Sequence, residues 1–488
     1  MSVKWTSEQI TAIEAKGSDI LVSAAAGSGK TAVLVERVIR KITDADNPVS
    51  IDRLLISTFT NAAASGMQIK IREAIKKQLD ASPDNTHLAK QLTLFPRATI
   101  TTVHSFCQTL LRTNFHKVGL GAAFEIGDET QLAILRKQAM EAVLENSYET
   151  ASPDFEALVG GFGGKRDDST LSELILDIYW FTQSTAEPSK WLENAKNMFS
   201  SEQAAQWTEY IISYIGIELD GMAASYDNAI RVIECGNGFS QYLDCFCAER
   251  EAISRLADIK AASWNEIRDG RSQIVFEKLP RKDKDADEEG VSYVQNIRKK
   301  VKTQIDKIRA IFSISEYDME QDNAILGGVI GELCKIVSDF TNEYSALKRG
   351  KNLVDFNDLE QFTLKLLRND EIKVEIQNRF DEVLVDEYQD TNGVQEAIFR
   401  AVSRGNNLFM VGDVKQSIYG FRNAQPQIFT EKAKSFEQYM DCGRLISLSH
   451  NFRSGVGIID FVTDIFQKFM KIKMGWFDYT SGHALISR

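Results

Sequence analysis

Five short stretches of the chain are almost continuously apolar or β-branched. They are Asp19-Ile20-Leu21-Val22, Leu54-Leu55-Ile56-Ser57-Thr58, Thr99-Ile100-Thr101-Thr102-Val103, Val383-Leu384-Val385 and Leu408-Phe409-Met410-Val411. A strand with one wet face alternates apolar and polar residues, whereas these do not. They therefore predict a parallel sheet covered on both faces. From about residue 110 to 375 the pattern changes. Leu132 to Leu144 and Leu171 to Phe181 carry apolar residues three and four apart, the spacing of an amphipathic helix. A charged stretch, Arg281 to Glu289, interrupts this region and reads as an exposed loop. No internal repeat is evident. The prediction is an α/β core, residues 1–110 and 376–445, split by a helical insertion over 111–375.

The sharpest local signal is Ala24-Ala25-Ala26-Gly27-Ser28-Gly29-Lys30-Thr31, which follows a predicted strand and opens a helix from Thr31 to Ile39. Gly27 and Gly29 let backbone N–H groups approach phosphate oxygens, and the helix N-terminus adds partial positive charge. Lys30 is placed to reach the β- and γ-phosphates of ATP, and the Thr31 hydroxyl to hold Mg²⁺. Ala24 stands where the textual pattern has its first glycine, and a small residue there still permits the turn. The alternative is a structural glycine turn.

The strand Val383-Leu384-Val385 runs into Asp386-Glu387-Tyr388-Gln389-Asp390. Adjacent carboxylates at the end of a buried strand are costly unless they bind something. Metal-assisted phosphoryl transfer uses both, Asp386 for Mg²⁺ and Glu387 to orient and deprotonate water. Asp381 and Glu382 read instead as an exposed acidic turn. After the last predicted strand come Gln416, suited to sensing a γ-phosphate, and Tyr419, Phe421 and Arg422. Two rings beside a guanidinium suit base stacking next to a phosphate contact, although such rings more often pack a core.

Composition changes this picture little. The 488 residues include 69 acidic and 57 basic ones, for a net charge of −12. Such a balance speaks against binding nucleic acid by bulk charge. It leaves room for a motor, which must release each nucleotide and can rely on a local channel with stacking. No apolar run reaches the roughly 18 to 20 residues of a membrane span, and no signal core follows Met1. Six scattered cysteines suit reduced thiols in a cytosolic, cytoplasmic setting. Cys245 and Cys247 are too close for a zinc knuckle.

Taken in order, these motifs resemble the superfamily 1 helicases of the UvrD/RecB group. The resemblance implies a RecA-like P-loop NTPase sheet with a large helical insertion. It also implies a second RecA-like domain beginning at 446–488. Trp5-Thr6-Ser7-Glu8-Gln9 is similar to the adenine-reading element, with Gln9 on the base. Phe59-Thr60-Asn61 and Thr102-Val103-His104-Ser105 are similar to two single-strand DNA contact motifs, and Asn451-Phe452-Arg453-Ser454 to a fourth motif. There Phe452 would stack on adenine and Arg453 would touch the γ-phosphate. The long gap from His104 to Asp386 is similar to that of AddA-type helicase–nuclease subunits. So is the text around Gly160 to Asp168, Ile178 to Phe181, and Val354 to Glu360. The glycine-rich piece at 160–168 reads as a loop, because no strand precedes it and no Ser or Thr follows Lys165.

That resemblance implies 3′ to 5′ movement on single-stranded DNA, entry at double-strand ends, and an AddB-type partner in a heterodimer. Two departures stand out. Gly66 occupies a position that is acidic in the group. The chain also stops soon after Arg453, with Gly475 to Tyr479 still family-like, so an N-terminal fragment is expected. Slow ATP turnover and no nuclease activity are expected of it. The rival readings are a stand-alone repair helicase and a non-catalytic ATP- or DNA-binding remnant. All of this requires Lys30 and Thr31 to lie beside Asp386 and Glu387.

Overall fold

A computed structural model describes residues 4–164, 167–199, 201–258, 264–270, 274–439, 441–470 and 486–487. The chain forms two compact units. One comprises Met1–Ala151, Phe162–Leu192 and Lys335–Arg488, the other Ser152–Gly161 and Glu193–Cys334.

The first unit is built on six strands: β1 (Ile20–Ala24), β2 (Leu54–Thr58), β3 (Thr99–Thr102), β4 (Glu382–Val385), β5 (Leu408–Gly412) and β6 (Arg444–Leu448). Their order across the sheet is β3-β2-β4-β5-β1-β6, and every pair is parallel. Successive side chains leave opposite faces, so each apolar run supplies two cores. Leu21, Leu55, Val383, Val385, Leu408 and Met410 face one. Ile20, Val22, Leu54, Ile56, Leu384, Phe409 and Val411 face the other. This is the RecA-like α/β arrangement expected from the sequence.

Two boundaries differ from expectation. A domain start at 446 would cut β6, which is paired along its length with β1 from Ile20↔Arg444 to Ala24↔Leu448. The first sheet therefore extends through Leu448. The helical insertion is also narrower than 111–375. Leu110, Leu111, Val118, Phe124, Leu359 and Leu364 pack in the same core as Leu21 and Val383. Helices Val103–Val118 and Phe356–Leu367 thus cover the sheet, and their amphipathic pattern alone does not distinguish them from insertion helices.

Glu382 is a further correction. It is buried at the start of β4, where the Arg37 guanidinium donates to its carboxylate at 2.5 Å and Lys41 lies 3.4 Å away. The exposed acidic turn is only Asp381, paired with Arg53.

The second unit is helical. Ser201–Cys235, Leu243–Asp258 and Glu288–Ile311 enclose Tyr226, Phe239, Phe246, Val294 and Phe312. The charged stretch 281–289 is irregular up to Asp287, whose side chain accepts from the Glu289 N–H and starts the last of these helices. Gly160 and Gly161 lie in helix Pro153–Phe162, so the glycine-rich piece begins helical. Lys165, Arg166 and the stretch from Gly475 to Tyr479 lie outside the described residues.

Candidate nucleotide site and its aromatic extension

The phosphate loop leaves β1 at Ala24 and turns twice through left-handed backbone, Gly27 at φ +72° and Gly29 at φ +87°. Only glycine adopts these angles without strain. Gly29 is the residue before helix α1 (Lys30–Ile42), whose first turn has no side-chain cap for its N–H groups. The predicted helix start at Thr31 is one residue late. Ala25 donates its N–H to Leu448 O at 3.3 Å, so the loop is fastened to β6 at its root. Asn451 Nδ2 donates to Ala26 O at 2.8 Å, and the Phe452 N–H to Gly27 O at 3.0 Å. A Cβ on Gly27 would meet Arg453 Cβ at 2.9 Å. Phe452 and Arg453 therefore sit directly on the loop. Gln9 is buried beneath it, receiving the Thr6 N–H at 3.0 Å and donating from Nε2 to Ser28 O at 2.9 Å.

The acidic strand brings its tip to the same place. The Asp386 N–H continues the ladder to Ser57 O at 2.9 Å. The chain then turns at Glu387, whose φ of +51° is rare for a side-chain-bearing residue and costs about 1–3 kcal/mol. Such strain persists only where the surroundings enforce it. Here Lys30 Nζ lies 3.2 Å from Glu387 Oε2, and Gln389 Nε2 donates to the same oxygen at 2.9 Å. The two sequence signals, 357 residues apart, meet in one site.

A cavity of about 460 Å³ opens at this junction. Thr31, Asp386, Glu387, Asp390 and Gln416 line it together with Lys70 and Gly66. Burial, and then the neighbouring Glu387 carboxylate, push Asp386 up to about 6, and the same two causes push Asp390 to about 6. Asp390 Oδ1 is buried with no hydrogen-bond partner. Gly66 leaves open space where a Cβ would stand, while its neighbour Met67 is buried in the core.

Gln389 has no place among the residues the sequence marks for chemistry, yet it organises the site. It is 2% exposed, and its amide joins Glu387 to β5 by accepting the Asp413 N–H at Oε1, 2.9 Å. The reasoning that picks Gln416 from its place beyond a strand tip applies equally to Gln389. Gln416 lines the cavity with its own Nε2 donating to Asp413 Oδ2 at 2.7 Å.

The residues expected to meet DNA form two groups. Phe59, on the turn after β2, lies against Tyr419 with ring centroids 4.5 Å apart, and Tyr419 lies 5.7 Å from Phe421. The Arg422 guanidinium is 5.6 to 5.8 Å from all three rings. Phe421 is 78% exposed, so this cluster is not core packing. Phe59, Thr60 and Tyr419 also line the cavity shared by Thr31 and Glu387. The Thr60 hydroxyl accepts from Ala63 N–H and starts helix α2 (Asn61–Ala81), leaving Asn61 exposed at its first position.

The second group is more engaged with protein. Thr102 caps helix Val103–Val118 by accepting the Ser105 N–H, and the two hydroxyls are 3.0 Å apart. His104 Nε2 lies 3.1 Å from buried Glu360 Oε1, its ring edge-on to exposed Phe356 at 5.1 Å. Glu360 and Phe356 lie in the family-like stretch Val354 to Glu360, but nothing local in sequence ties them to His104.

A P-loop and an acidic strand end sharing one cavity, on a parallel sheet of this order, define a P-loop NTPase core. The chain belongs to the UvrD/REP helicase N-terminal domain family, which it matches over residues 5–437. It is similar to an ATP-dependent helicase/nuclease subunit of Clostridium novyi, 40% identical over 99% of this chain and 40% of that protein. The corresponding subunit of Thermoanaerobacter sp. is 41% identical over 99% of this chain and 41% of its own length. That of Clostridioides difficile is 36% identical over 99% and 40%. The chain thus spans about two fifths of the length of these relatives. Among the described residues no helix is long and apolar enough to cross a membrane. No group of three or more His, Cys, Asp or Glu side chains placed to hold a metal ion occurs among them either.

Proposed function

We propose that this chain is the ATP-hydrolysing motor portion of an AddA-type helicase–nuclease subunit, moving 3′ to 5′ on single-stranded DNA. The observation that supports the reading is the 3.2 Å approach of Lys30, at the end of the glycine loop, to Glu387, at the end of the acidic strand. Glu387 is held by Lys30 and Gln389. The ATP phosphates take Lys30 into their own charge, and Glu387 is released to orient and deprotonate the attacking water. Gln9 and Phe452 flank the loop on the side suited to adenine, and Arg453 reaches the γ-phosphate.

The donor set fits Mg²⁺. Three carboxylates, Asp386, Glu387 and Asp390, face the cavity, and Asp390 Oδ1 lacks a partner. Thr31 and Asp386 are the first-choice ligands. Mg²⁺ keeps waters and phosphate oxygens in its shell, so it needs few protein ligands. When bound, the ion neutralises charge on the β- and γ-oxygens.

Gln416 and Gln389 tie the γ-phosphate side of the cavity to the tip of β5. The Tyr419–Phe421–Arg422 segment follows from that tip, so nucleotide state reaches the stacking cluster through a few residues. Phe59, Thr60, Asn61, Thr102, His104 and Ser105 complete the single-strand contacts. By analogy with the relatives, which are named for helicase and nuclease activities, the whole cytoplasmic protein works at double-strand ends, joined to an AddB-type partner in end resection.

The test is ATP binding and hydrolysis by the purified chain with and without single-stranded DNA. We expect Lys30→Ala to lose Mg·ATP binding. We expect Glu387→Gln to bind ATP but not turn it over. Wild-type binding that survives Lys30→Ala would overturn the reading.

A further inference from the structure

We propose that Trp180 is a further base-stacking platform, taking the single-stranded DNA base beyond Phe421; this rests on the DNA reading above. Trp180 stands on the outer face of helix Ser169–Gln183, whose inner face buries Leu171, Ile175 and Tyr179. The indole is 40% exposed.

Three observations connect it to the stacking cluster. Asn423 Nδ2, on the residue immediately after Arg422, donates to Trp180 O at 3.2 Å. Asn423 has left-handed backbone, φ +58°, and closes the turn Gly420–Arg422 with its N–H on Gly420 O at 2.9 Å. The turn that presents Phe421 and Arg422 is therefore tied to the helical turn that presents Trp180. The chemistry also repeats. The Arg136 guanidinium, ion-paired with Glu129, lies 5.9 Å from the Trp180 ring, and Arg422 lies 5.8 Å from Phe421. A ring next to a cation suits a base next to its phosphate.

The helix end is also held to the ATPase side. Gln361 Nε2 donates to both Gln183 O and Thr185 O at 2.8 Å, and the Val394 N–H donates to Ser184 O at 2.9 Å. Val394 belongs to helix Gly393–Val402, which follows the acidic strand tip directly. Trp180 is thus fixed relative to the same residues that carry Asp386 and Glu387.

The experiment is binding of oligothymidylates to the full chain, one of about 6 nucleotides and one of about 20, spanning the range of single-strand site sizes. Trp180→Ala is expected to weaken the long oligonucleotide by about 5- to 100-fold. It should leave the short one, held by Phe59, Tyr419 and Phe421, within about twofold. Trp180→Phe should retain most of the affinity. In the wild-type chain, photocrosslinking of an iodouracil-substituted long strand should mark Trp180, which keeps the test decisive if Trp180→Ala misfolds. If Phe421→Ala weakens binding while Trp180→Ala leaves both lengths unchanged and no crosslink falls on Trp180, the platform is refuted and the DNA reading stands. Such a result would leave the indole for a protein partner. If the wild-type chain binds neither length, the DNA reading fails and this inference with it.

Discussion

Two carboxylate sites, one in each unit, are treated in opposite ways. In the helical unit, Glu249 is enclosed and satisfied. Tyr226 donates its hydroxyl to Oε2 at 2.8 Å, and Arg298 Nε donates to the same oxygen at 2.9 Å. Burial, and then Glu249, push the Tyr226 hydroxyl far up, so it stays a donor. At the tip of β4 the balance is different. Asp386, Glu387 and Asp390 crowd together, and Asp390 Oδ1 has no partner. A satisfied buried carboxylate holds a fold together. A crowded one waits for a ligand that brings positive charge.

The sharpest way to break this contrast is at Glu387. Glu387→Gln should lower steady-state ATP hydrolysis by about 10²- to 10⁴-fold, the span of a lost general base, with nucleotide affinity by titration close to wild type. Hydrolysis within a few fold of wild type would remove Glu387 from the chemistry. Next in size, Glu249→Ala strands the Arg298 guanidinium and should destabilise the helical unit by about 3–5 kcal/mol in a denaturant titration. Nucleotide affinity should not change, and a parallel loss of ATP binding would show that Glu249 is no purely structural group.

Phe421→Ala should weaken single-strand affinity by about 1–3 kcal/mol in an anisotropy titration. An unchanged constant would return that ring to the surface without a role. The smallest effect is on stability. Asp386 titrates near 6 when folded, above its ordinary 3.8. The folded state therefore holds the proton more tightly, and stability falls as pH rises from about 4 to about 6. The penalty is complete above that window. Asp386→Asn should thus stabilise the nucleotide-free chain at pH 8 by on the order of 1 kcal/mol, allowing for water in the cavity. The gain should vanish below about pH 4. A destabilised Asp386→Asn at pH 8 would mean the carboxylate is already well paired.

How much is legible in the sequence follows from the range over which each signal acts. The P-loop and the acidic strand tip are readable because strand, turn and helix start are written close together. Gly27 and Gly29 are required by local backbone geometry. Glu382 reads wrongly as an exposed residue because its partner Arg37 is 345 residues away. The edge strand β6 escapes assignment to the first sheet because parallel pairing leaves no mark in either strand. Its burial is also broken, with Arg444 and Ser447 exposed. The insertion reads too wide because a helix packed on a sheet and one packed on helices share the same apolar spacing. Gln389 is overshadowed by the carboxylates on either side of it, though its amide is what joins them to the next strand.

The fastening of the phosphate loop to the segment 450–453 runs largely through peptide groups. Carbonyls of Ala26 and Gly27 receive Asn451 Nδ2 and the Phe452 N–H. Replacing the Ala26 side chain cannot delete such a bond, whereas replacing Asn451 can. The same Asn451 amide oxygen collects the N–H groups of Arg453 and Ser454 at 2.8 Å each. One amide side chain thus sets the spacing between the glycine loop and residues 450–454. On the function proposed above, linkage is reciprocal, so a load on that segment would alter nucleotide affinity as surely as nucleotide would alter the segment.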